Sequence, residues 1–295
     1  MRMMLHRGPV TVALAIVAGA ALAACSDHMS PQALALSQAQ ADSMGDVVVA
    51  DVENELDAGT AASGIGFVPG APSSAALSPS LRCVPDISPL PAINSDADPV
   101  PDSVRVTFTD CVIGFRRGAD TIRGSIDIID PTPMGTDRSL KLAFTDFARV
   151  FVDRHDHSAS ITVNGSREAL RDGSQLSQTE VDFRTDYVFG DGATASHVRN
   201  WAIDFTADVP GSIVHDAALP SGVLDITGSS TFTRNDMTQF DLQVSTSIPL
   251  HFDATCTDRP RFSVGTLKAV VTKQGATATV TIQFTACGQF TITKS

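Results

Sequence analysis

From Asp102 to the C-terminus apolar residues recur at every second position, a period that only strands satisfy and the strongest constraint on the fold of this chain. Val104, Val106 and Phe108 alternate with polar neighbours, Ile122, Ile126 and Ile128 do so around Gly124, and Leu140, Leu142 and Phe144 follow. The phase slips at Thr145-Asp146, after which Phe147 and Phe151 take odd positions, the mark of a bulge or bend. Ile161 and Val163 lead to Asn164-Gly165, a tight-turn signal. Val181, Phe183, Thr185, Tyr187 and Phe189 alternate up to Gly190-Asp191-Gly192, and His197, Arg199, Trp201, Ile203 and Phe205 alternate beyond it, which predicts a hairpin.

The cleanest strand places Phe240, Leu242, Val244, Thr246, Ile248, Leu250 and Phe252 on one side, and at about 3.3 Å per residue it reaches roughly 43 Å. Pro249 donates no ladder hydrogen bond, so the strand is an edge there or bends. A last hairpin runs from Gly265 through Lys273-Gln274-Gly275 to Phe284. One apolar and one hydrophilic face per strand predicts antiparallel sheet with one side solvated. The expected fold is therefore all-β over residues 103–295: a long-stranded antiparallel meander, as a curved sheet, half-barrel or sandwich, with one N-terminal amphipathic helix.

That helix is read from Ser30-Pro31 to about Leu56. Met44, Val48, Val52 and Leu56 form its apolar stripe with Val47 beside them, Asp46, Asp51, Glu53 and Glu55 point elsewhere, and Gly45 inside it is a point at which the helix can split in two. Residues 59–102 hold eight of the sixteen prolines and read as an extended linker between membrane and domain.

Ahead of the helix, Arg2, His6 and Arg7 precede an apolar run from Val10 to Ala24, too short to span a bilayer and expected as a signal peptide over residues 1–24. Leu22-Ala23-Ala24-Cys25 resembles the lipobox of bacterial lipoproteins. The resemblance implies cleavage before Cys25, diacylglycerol on its thiol and acylation of the new amine, so residues 25–58 become a lipid-anchored helical segment. Aspartate stands at Asp27 and not directly after the cysteine, so the expected location is the cell envelope, outer membrane rather than inner. The net charge of −12, more negative still once Arg2 and Arg7 are removed, argues against nucleic acid and against an electrostatic grip on anionic lipid.

With Cys25 assigned to lipid, Cys83, Cys111, Cys256 and Cys287 remain, and an even count in an exported chain implies two disulfides of three possible connectivities. The stretches ending in Phe108-Thr109-Asp110-Cys111 and Phe284-Thr285-Ala286-Cys287 echo one another, each with another cysteine about thirty residues earlier, which favours Cys83 with Cys111 and Cys256 with Cys287. This Phe-Thr-x-Cys pattern, followed by Arg123-Gly124-Ser125-Ile126-Asp127-Ile128, also resembles a group of uncharacterised β-rich secreted bacterial lipoproteins, a resemblance that brings no activity with it.

Asp153, His155 and His157 share one strand face at a metal-ligand spacing, with His197 or His251 as a further imidazole, but Arg154 to Ser158 is a polar stretch that suits a solvated turn. Asn94, Asp96 and Asp98 open like a calcium loop, whereas its central glycine is Pro99 and its twelfth residue Arg105. Asp182 and Asp186 are a conceivable acid and base pair that more simply solvates one strand face. No nucleophile elbow, zinc-protease or phosphate-loop motif is present, so no catalytic residue and no cofactor is expected. The functional expectation is a lipid-anchored envelope lipoprotein, not an enzyme, with a binding or structural β domain. The alternatives are a carrier of lipid or lipoprotein on an open apolar face lined by Phe240, Leu242, Val244 and Ile248, and a metal-binding protein using His155 and His157.

Overall fold

The computed structural model describes residues 33–60, 80–81, 84–96, 98, 100–115, 118–135, 139–153, 158–214, 217–235 and 239–295. Cys25, Cys83, His155 and His157 lie outside them. Among the described residues one helix, α1 (Gln38–Thr60), precedes thirteen strands: β1 (Ser80–Leu81), β2 (Asp86–Ser88), β3 (Ser103–Phe115), β4 (Gly118–Ile129), β5 (Leu140–Asp153), β6 (Ser158–Arg171), β7 (Gln175–Val188), β8 (Thr194–Ala207), β9 (Gly222–Arg234), β10 (Gln239–Phe252), β11 (Phe262–Lys273), β12 (Ala276–Ala286) and β13 (Gln289–Lys294). All strands belong to one antiparallel sheet, a meander in which β3 to β13 follow one another in sequence order, while β1 and β2 both pair with β3. Among the described residues β13 pairs only with β12, so the sheet is not closed.

The phase slip at Thr145-Asp146 is one of a row of bulges. Asp110, Asp146 and Asp182, evenly spaced in sequence on β3, β5 and β7, adopt left-handed φ of 46°, 47° and 48°. The ladders shift register beside each of them and beside Gly124 and Gly165 on the strands between. A Cβ on Gly124 would stand 2.1 Å from the Asp146 carbonyl oxygen, and one on Gly165 2.2 Å from that of Asp182, so only glycine fits. The side-chain oxygens of Asn164 and Asn200 accept the amides of Asp146 and Asp182, each at 2.8 Å. Asn164-Gly165 therefore sits inside β6 and makes no turn. A bulge and a type I′ turn both demand positive φ, so the same dipeptide signals either.

Strand β10 shows the same device. Register shifts between Thr246 and Ile248, and again between Ile248 and His251, flip the side-chain phase and restore it. Ile248 is turned out, 55% exposed, while Leu250 returns to full burial. The β9 ladder lapses between Ser245 and Leu250, where Pro249 has no amide to give.

The helix begins one residue after Ser37, whose Oγ accepts the Gln40 amide at 3.2 Å while Gln40 Oε1 accepts the Ser37 amide at 2.9 Å, a reciprocal cap. The helix does not break at Gly45. That residue is where it comes closest to the sheet, for a Cβ there would stand 2.5 Å from Ile292 Cδ1. Val48, Val49, Val52 and Leu56 enter a core with Leu224, Ile226, Leu242, Val244, Leu267, Val280 and Ile282, threaded by edge-to-face contacts from Phe205 through Phe252 and Phe262 to Phe284. A second core, built on β3 to β7, holds Val104, Val106, Phe108, Ile126, Phe144, Phe147 and Phe183. The chain meets the sheet already at Ala33, bridged to Thr277. Helix α1 and the sheet thus belong to one packed unit.

Candidate functional site

The acidic residues of α1 are not on a solvated face. Glu53 and Glu55 are buried, and Val47, expected beside the apolar stripe, is 41% exposed. The arginines that make this possible come from distant strands. Residues 51 and 55 share one flank of the helix, residues 53 and 57 the other, with the valine stripe between. On the first flank Glu55 lies 2.7 Å from Arg167 of β6 and 2.9 Å from Arg199 of β8, and accepts the Gln178 amide at 2.8 Å. Glu180 of β7 completes the square, 2.5 Å from Arg167 and 2.8 Å from Arg199, and Asp51 stands 3.5 Å from Arg199. Both guanidiniums lie over the Phe183 ring, 4.7 and 5.1 Å from its centre. On the second flank Glu53 accepts the Arg261 amide at 2.6 Å and its guanidinium at 3.0 Å, while Asp57 lies 2.5 Å from both Arg259 and Arg261.

Three carboxylates face two arginines in this first group, so full ionisation would leave a buried negative charge. Burial pushes Glu55 up to about 8 against the pull of Arg167, and pushes Asp51 up to about 6. Beside them burial, then Arg199, lowers His197 to about 3, so its ring stays neutral, stacked at 3.8 Å on Phe232. Perturbed acids of this kind attract a catalytic reading. Against it, Glu55 and Glu180 are only 2% and 3% exposed, so no substrate reaches either carboxylate. The group is a fastening between helix and sheet.

A second acidic group lies where the segment before β3 meets the end of β4. Asp96, Asp98 and Asp130 each bring a carboxylate oxygen within 4.8 Å of the others. The loop does not follow a calcium-loop register; side chains of Asn94, Asp96 and Asp98 instead accept the amides of Asp96, Asp98 and Val100 at 3.2, 3.0 and 2.7 Å. Asp130 Oδ1 accepts from the Thr132 amide at 2.8 Å and from its hydroxyl at 3.2 Å. Asp130 is 3% exposed, and its Oδ2 has no hydrogen-bond partner among the described residues.

Of the residues singled out by sequence, Cys256 and Cys287 are joined, with their Cα atoms 5.6 Å apart. Cys111 is buried and disulfide-bonded, while Cys83, its expected partner, lies outside the described residues. Asp153 ends β5, but His155 and His157 lie outside the description. His251 is committed elsewhere, to Ser263 at 2.9 Å and Asp208 at 3.0 Å. Asp186 pairs with Arg184 at 2.8 Å, and Asp182 occupies a bulge. Leu242 and Val244 are covered and Ile248 is turned away, so these residues line no common apolar groove. Sequence reading missed the group beneath α1 because its members are far apart in the chain, the local sign being an acidic residue on each flank of an apolar helical stripe; of the second group it picked out Asp96 and Asp98 but not Asp130.

These features define a class: an open antiparallel meander with its N-terminal helix locked on by buried ion pairs. Beyond that class, no protein-family model, no curated protein and no solved structure matches the chain.

Proposed function

We propose that the chain is a lipid-anchored envelope lipoprotein whose β domain acts by binding or as structure, not by catalysis. Leu22-Ala23-Ala24-Cys25 supports the anchor, with outer membrane as the favoured location. The observation that carries the non-catalytic reading is the enclosure of Glu55 and Glu180 with Arg167 and Arg199: these buried charged groups are spent on holding α1. The same helix occupies the apolar face that a lipid carrier would need. Seven residues separate Cys25 from Ala33, a tether of at most about 25 Å.

The test is fractionation of Cys25→Ser against wild type. Wild type sediments with membranes and Cys25→Ser is released; sedimentation of both would refute the anchor. Native mass spectrometry of the protein taken from its own envelope tests the domain. A stoichiometric lipid held non-covalently, beyond the acyl chains on Cys25, would replace the present reading with that of a carrier.

A further inference from the structure

We propose that Asp96, Asp98 and Asp130 bind one Ca²⁺ ion, which clips the segment before β3 to the end of β4. The donors are hard oxygens only, the chemistry of Ca²⁺ or Mg²⁺ and not of zinc or copper. Ca²⁺ sits about 2.4 Å from its oxygens, so two ligands on opposite sides lie about 4.8 Å apart, and the three carboxylate oxygens fall within that span. Mg²⁺ demands a rigid octahedron and keeps most of its water, whereas an irregular loop with several carboxylates suits the larger ion.

The second observation is Asp130 itself. It is 97% buried by its 3% exposure, and Oδ2 faces no donor although Oδ1 is fully engaged by Thr132. Asp96 Oδ2 is likewise buried without a donor. A carboxylate oxygen shut from water beside two other carboxylates is costly unless a cation neutralises it. Around Glu55 the chain supplies that cation as arginine; here the ion would come from the medium, which an exported protein meets at concentrations matching extracellular sites of about 0.1–1 mM affinity. The ion would tie Asp96 and Asp98, in the proline-rich segment, to Asp130, which follows β4. Ser95 already bonds the Asp102 carboxylate, and the Asp130 amide bonds the Asp102 carbonyl at 3.2 Å, so the ion would close a loop that is folded without it.

Thermal melting of the full chain in detergent, followed by the fluorescence of its single tryptophan, Trp201, tests this. In wild type 10 mM Ca²⁺ raises the midpoint above that in EDTA by about 3–6 °C. Asp130→Asn shows no Ca²⁺ shift, and in EDTA it melts at or above wild type because a buried charge has been removed. A purely structural Asp130 predicts the reverse in EDTA, a lower midpoint with or without ion. Asp96→Asn, on the more exposed member, is the second variant: it folds and loses the shift. No Ca²⁺ shift in wild type, an equal shift in wild type and both variants, or an equal shift with Mg²⁺ would each overturn the proposal.

Discussion

Among the described residues two groups bury several carboxylates side by side, and they solve the same electrostatic problem differently. Beneath α1, Glu53, Glu55 and Glu180 each contact an arginine, and the remaining excess of charge is met by holding a proton on Glu55. At the end of β4, Asp130 faces Asp96 and Asp98 with no donor on Oδ2. The carboxylates of the first group each meet an arginine of the same chain, whereas Asp130 Oδ2 and Asp96 Oδ2 meet no donor. A buried charge is thus informative less by its depth than by whether its partner is encoded in the same sequence.

The comparison breaks first at Arg199. Replacing it with alanine leaves Glu55, Glu180 and Asp51 against Arg167 alone, and a loss of about 3–5 kcal/mol in denaturant unfolding is expected. A loss under about 1 kcal/mol would mean that the carboxylates are neutral and the ion pairs unimportant. Glu53→Ala should cost less, about 1–3 kcal/mol by the same assay, because Arg261 is 22% exposed and recovers water when its partner goes.

A pH series sharpens the contrast. Glu55 is raised from 4.5 to about 8, so the stability tied to its proton is full below pH 4.5 and lost as pH rises through 8. Asp51, raised from 3.8 to about 6, acts likewise over a lower window. His197, lowered from 6.5 to about 3, acts oppositely: its contribution is full above pH 6.5 and lost towards pH 3. Between pH 6.5 and 8 Glu55 dominates, and unfolding free energy should fall by about 1 kcal/mol per pH unit. Glu55→Gln, a mimic of the protonated acid, should flatten that slope; an unchanged slope assigns it to another group. The smallest effect belongs to Arg105, which pairs with Asp127 at 2.6 Å and whose side chain is 58% exposed. Arg105→Ala should leave the melting midpoint where it is.

Much of the sheet was legible because strand alternation is local. The β7–β8 hairpin, the alternation of His197 to Phe205 and the bulge at Asp146 all follow from neighbouring residues. Ile248 was not legible, since two bulges in succession leave the parity of the sequence untouched. Nor were the partners of α1: Glu55 meets Arg167 across 112 positions and Glu53 meets Arg261 across 208, and no periodicity links them. The Ser37-Gln40 cap was readable from spacing alone, but Ser30-Pro31 offered a competing helix start. The acid group at Asp130 was half visible, in Asn94, Asp96 and Asp98, and needed the end of β4 to complete it.

The meander has a consequence for the order of assembly. Each strand from β4 onward pairs with the one made just before it, so the sheet can lengthen hairpin by hairpin with little loop entropy to overcome. Helix α1 is the opposite case: Gln38 donates to the Ile292 carbonyl across 254 positions, at 3.1 Å. The first of the described elements is therefore the last to complete its seat, and until β13 emerges part of the face that the valines of α1 cover is missing. Loss of β13 would cost more than one edge of a sheet: it would strip α1 of the Gln38 bond to Ile292 and of the Ile292 contact at Gly45, leaving it held by its ion pairs and the rest of the core.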